Sequence, residues 1–139
     1  MIQRMQSLWL LFAAAAAFLT IRFSFYSGNI ALNGQPPSFE HVNASFYFWI
    51  ELITIALICI GAIDIFLYKN RKLQGRLALL GILLSLLNIF LYTKQTNRFD
   101  AGSYDLTALL ALAIPVFFFL AARGIYRDQK LVKSLDRLR

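Results

Sequence analysis

The chain has 139 residues, 59% hydrophobic and 15% charged, with mean hydropathy +0.61 and formal charge +7. A soluble domain carries about a quarter of its residues as charges, so this composition has too little polar sequence to wrap a core in a hydrated shell. The single cysteine, Cys59, excludes an intrachain disulfide and a thiolate metal cluster within one chain.

The first apolar run, about 7–25, contains LWLLFAAAAAFLTI and follows Arg4. It resembles a secretory signal, but a cut after Ala17 would leave Phe18, Leu19 and Ile21 of the same run ahead of it. A retained anchor is expected. The segment from about 26 to 44 holds Gly28, Asn29, Asn33, Gly34, Pro36 and Pro37 and reads as turns without a regular element. His41 lies there with no second histidine or cysteine beside it, and no metal ligation is expected.

The second run, about 45–68, carries Glu51, Cys59 and Asp64, and the short link KNRKLQG holds it antiparallel to a third run, about 76–93. A second short link, TNRFDAG, leads to the fourth run, about 104–122, where Pro115 removes a backbone donor and invites a kink. A hydrocarbon core of about 30 Å needs roughly 20 helical residues. Backbone groups in hydrocarbon must be satisfied by helices or a closed barrel, and four runs cannot close a barrel. The expected fold is all-α: one domain over 1–139, an integral membrane bundle of four transmembrane helices with a short basic C-terminal cytoplasmic helix over 124–139.

Lysine and arginine give the orientation. Arg4, the cluster Lys69, Arg71, Lys72 and Arg76, and the tail residues Arg123, Arg127, Lys130, Lys133, Arg137 and Arg139 put eleven on one side. Only Arg22, Lys94 and Arg98 fall on the other. The richer side is expected to be cytoplasmic, with both termini there. Trp9, Tyr68 and Tyr126 would mark the inner boundary, and Tyr26, Tyr47, Trp49, Tyr92 and Tyr104 the outer one. Basic residues placed beside apolar runs are topology signals, so no nucleic-acid partner is expected.

The opening MIQRMQSLWLL, the central YKNRKLQGRLALL and the ending ARGIYRDQKLVKSLDRLR resemble a family of small four-helix membrane proteins of Bacteroidota, catalogued as a domain of unknown function, DUF4293. The resemblance spans nearly the whole chain and implies a bacterial cytoplasmic membrane. It supplies no activity, cofactor or catalytic residue.

Glu51 and Asp64 stand about 9 Å outward and 10 Å inward of the second run's centre. Both therefore fall within the core, where a carboxyl is expected to face protein or a water-filled recess. Their separation gives a rotation of about 220°, so they point to different faces and do not form one catalytic pair. Arg22 and Asn88 share the depth of Glu51 and are its expected neighbours. Lys69 or Arg71 are expected to reach toward Asp64. Ala13, Ala17, Gly61, Gly81 and Ser85 permit close helix approach.

In the tail, Leu131, Leu135 and Leu138 recur at helical spacing while Arg127, Lys130, Lys133, Arg137 and Arg139 fill much of the remaining surface. This predicts a short helix on the inner headgroups or folded against the bundle, available to a partner. The leading expectation is a structural or accessory inner-membrane protein without catalysis or cofactor, contacting lipids and either a second copy or another membrane protein. The alternative is small-molecule, lipid or ion binding, sensing or transport through a polar recess near Glu51.

Overall fold

The structure, a computed structural model, describes residues 2–30, 36, 38–99 and 101–136. It is mostly helical. Helices α1 (Ile2–Arg22), α2 (Phe48–Phe66), α3 (Arg71–Thr96) and α4 (Ala108–Asp136) run up and down, each in contact with its two neighbours in the order α1–α2–α3–α4 and back to α1. All four are long and apolar enough to cross a membrane.

The buried faces have a regular spacing. Along α2 they are Ile50, Thr54, Leu57, Gly61 and Asp64, and along the middle of α3 Ala78, Gly81, Ser85, Asn88 and Tyr92. Steps of four and three alternate, a 3.5-residue repeat that keeps one seam toward its neighbours in left-handed packing. Most seam residues are small or polar, while Phe66, Leu83, Phe90 and Phe119 point outward. Hydrocarbon outside would leave no hydrophobic force to pull large side chains inward, so close approach of small residues governs association. At Gly81 an added Cβ would come 2.7 Å from the Phe118 ring. The five small residues expected to permit close approach all lie in the seam.

The end opposite the two termini carries a three-stranded antiparallel sheet, a correction to the turns expected there. Strands β1 (Tyr26–Ile30), β2 (Ser38–Val42) and β3 (Ala101–Tyr104) lie in the order β2-β1-β3. Phe25 N donates to Val42 O at 2.6 Å and Asp105 N to Phe25 O at 3.1 Å, extending the pairing beyond the strands. Gly28 stands opposite Gly102, and a Cβ on it would strike the Ala101 and Gly102 backbone. This glycine permits close strand approach instead of making a turn.

Beneath the sheet, Phe25 stacks on Tyr92 with centroids 4.5 Å apart, and Tyr26 meets Phe99 edge-on at 5.3 Å. Tyr26 and Tyr92 therefore occupy the interior of the cap and not the outer aromatic belt, whereas Trp49 and Tyr104 are exposed. At the other end, α4 continues unbroken through Pro115 to Asp136. The described part of the tail is an extension of the fourth long helix, not a separate one.

Candidate functional site

Polar side chains gather at three levels of the bundle. In the middle, Asn88 Nδ2 donates to Thr54 Oγ1 at 3.1 Å, joining α3 to α2, while Thr54 donates to Ile50 O at 2.7 Å. Asp64 has no exposed surface, and neither carboxylate oxygen has a hydrogen-bond donor among the described residues. Gln74 Nε2 donates at 3.0 Å to the Asp64 carbonyl, satisfying backbone instead of the carboxyl.

The termini end is held by side chains between elements distant in sequence. Gln6 Nε2 donates to Asp128 Oδ2 at 2.8 Å, joining α1 to α4. Gln129 Nε2 donates to Arg71 O at 2.5 Å, and Arg71 Nη1 to Asp128 O at 3.5 Å, joining α4 to α3. Gly124 makes room for this arrangement, since a Cβ there would lie 2.8 Å from Gln6 Cγ.

At the sheet end, Asp105 just before α4 accepts from the Ser24 hydroxyl and, at 2.6 Å, from Ser27. Ser27 Oγ also lies 2.7 Å from His41 Nδ1, and Thr107 donates to the Ser24 carbonyl. An ionised carboxylate only accepts, so Ser27 spends its one proton on Asp105 and His41 must donate from Nδ1. The order is acid–serine–histidine. A serine nucleophile needs the histidine as base, with the acid behind it, so these residues pin strands to a helix in an arrangement unlike an acyl-transfer triad. Nearby, burial raises the Tyr47 phenol above its ordinary range, an effect opposed by the Arg98 guanidinium.

Several expected pairings are replaced by others. Glu51 is half-buried and lines an open groove with Phe48, Leu52 and Ile55. It does not join Asn88, whose amide goes to Thr54, or Arg22, which is exposed at the end of α1. The reason is angular: Glu51 lies about 100° around the helix from the seam residue Ile50. Arg71 reaches α4 instead of the Asp64 carboxyl, and the Lys69 side chain lies outside the described residues. Arg127 and Lys130 are exposed on α4; Lys133 belongs to the same helix, and Arg137 and Arg139 lie outside the described residues.

The residues missed from sequence are Thr54, Gln6, Asp128 and the Ser24–Ser27–Asp105 group. Thr54 carried a signal, as the one hydroxyl of α2, seven residues from Gly61 on the 3.5 repeat. Asp105 carried none, because its partners lie some eighty residues away in sequence. Among the described residues no three histidine, cysteine or acidic side chains gather as a metal-binding group.

Fold and polar layers together define a class: a four-helix protein whose helices are each long enough and apolar enough to cross a membrane, with polar bonds between helices and a small sheet closing one end. The model of a family described as domain of unknown function DUF4293 matches residues 2–138, and the chain belongs to that family. No curated protein and no solved structure matches it.

Proposed function

We propose that this protein is a non-enzymatic structural or accessory component of the bacterial inner (cytoplasmic) membrane, crossing it four times with both termini inside. The observation that carries this reading is the use made of the buried polar groups. Asn88 with Thr54, Gln6 with Asp128 and Gln129 with Arg71 each join two helices. They do not converge on one recess. A recess uniting Glu51, Asn88 and Arg22, which the transport alternative requires, has no geometric support. Orientation follows from charge: among the described residues, the end with the α2–α3 link, the start of α1 and the end of α4 carries nine lysines and arginines, with Arg137 and Arg139 following in sequence, and the sheet end three.

Two measurements test this. Native mass in retained lipid should give a species heavier than one chain, formed with a second copy or another membrane protein, that reverts to one chain in Lys133→Glu/Arg137→Glu. A lone chain throughout would sink the accessory role. In a Cys59-free background, Lys72→Cys should be labelled only from the cytoplasm and Phe39→Cys only from outside, and the reverse pattern would overturn the topology.

A further inference from the structure

The inner part of α4 exposes Arg123, Arg127 and Lys130, spaced by four and three residues along one helix face. Among the described residues neither arginine has a hydrogen-bond or ion-pair partner. Two grooves flank this face. One, of about 550 Å³ between α1 and α4, is walled by Met5, Trp9, Leu120 and Leu131. The other, of about 420 Å³ between α3 and α4, is walled by Leu79, Ile82, Phe119 and Tyr126. Arg123 and Arg127 border both. Asp128 also borders the first groove, but it is buried and its carboxylate accepts from Gln6.

Depth fixes the chemistry. Ala108 starts α4; Arg123 follows it by about 23 Å and Arg127 by about 29 Å along a helix rising 1.5 Å per residue. Across a core of about 30 Å, the guanidinium groups reach the inner headgroup level while the grooves run back into hydrocarbon. Fork-shaped guanidinium groups suit phosphate oxygens, and a basic pocket between helices on the cytoplasmic side recognises anionic headgroups.

We propose that this part of α4 seats one anionic diacyl phospholipid, its phosphate on Arg123 and Arg127 and one acyl chain in each groove. A second copy laid on the same face would set three like charges against three. Among the described residues lining the two grooves, a zwitterionic headgroup would find no exposed carboxylate for its cation, since Asp128 is buried. The proposal rests on the membrane reading above, and its test, run with a symmetric lipid supply, does not depend on the orientation.

The test is a lipid titration of the full chain, purified in neutral detergent and followed by native mass spectrometry. Phosphatidylglycerol should be retained at one per chain in preference to phosphatidylcholine. Arg123→Gln/Arg127→Gln should lower phosphatidylglycerol affinity about 25-fold, roughly five-fold per basic residue at an anionic surface, with phosphatidylcholine binding and lipid-free Tm unchanged. Lys72→Gln/Arg76→Gln, which removes two exposed basic residues elsewhere at the same end, should bind like the wild type. Glycerophosphoglycerol, the headgroup without chains, should fail to compete at equimolar concentration, and effective competition would mean a free-phosphate site instead. Equal retention of the two lipids, or undiminished binding by the two-arginine variant, would overturn the proposal, as would a dimer that the two-arginine variant abolishes and lipid does not displace. Release of the chain from membranes by alkaline carbonate would fail the membrane reading itself.

Discussion

Along the middle of α3 this protein hides small and polar side chains and turns leucines and Phe90 out; beneath the cap it buries aromatic rings instead. Gly81, Ser85 and Asn88 are buried while Leu83, Leu86 and Leu87 are exposed. In the cap, Phe25, Tyr26 and Tyr92 are inside and the backbone is closed by strands. The contrast teaches where water would be. A helix satisfies its own backbone, so in hydrocarbon it needs only partners that fit closely. The proposed membrane placement would put the cap against water, where burying aromatic area is again favourable, at about 25 cal/mol per Å². Its three edges of chain are tied together by side chains that bond across long sequence separations.

Three measurements can break or sharpen that comparison. The largest effect is expected in the cap: Asp105→Ala leaves the Ser24 and Ser27 hydroxyls without their acceptor and should cost about 2 kcal/mol, the range of hydrogen bonds to a charged group. Reversible unfolding in mixed micelles measures it, and a loss below about 0.5 kcal/mol would show that the pin does not hold the cap. In the seam the same kind of measurement should give less. A double-mutant cycle of Thr54→Val and Asn88→Leu is expected to yield a coupling near 0.6 kcal/mol, as interhelical hydrogen bonds in bilayers do. A coupling above that of Asp105 with Ser27 would reverse the ranking of the two regions.

The smallest effect belongs to Glu51. With Phe48, Leu52 and Ile55 around it and no polar neighbour in its groove, Glu51→Leu should change stability by no more than about 0.5 kcal/mol. A loss beyond about 1 kcal/mol would reveal a partner on a neighbouring copy or lipid and return Glu51 to the interior of an assembly.

How legible these regions were differs for physical reasons. Helix length and apolarity are local properties, so four long runs were readable from residues 7–25, 45–68, 76–93 and 104–122, with ends that moved by up to five residues except that α4 runs on to Asp136. The fourth began later, at Ala108, because β3 takes residues 101–104. Small residues at Ala13, Ala17, Gly61, Gly81 and Ser85 carried the seam. What misled was the all-round hydrophobicity of α2, which gives no angular contrast and left Glu51 assignable to either face. Gly28 misled in another way: glycine serves a turn and a close backbone approach equally well, and only Gly102 across the sheet distinguishes them.

The sequence by itself determined the number of long apolar helices, the uneven placement of basic residues and the membership of a family, because each depends on composition along the chain. Only the tertiary structure decided that Asn88 meets Thr54, that Asp64 is enclosed without a donor among the described residues, that Asp105 gathers Ser24 and Ser27, and that Arg123 and Arg127 stand between two grooves. Those facts depend on which faces of neighbouring elements approach one another, and a helix that is apolar all round leaves that choice to packing.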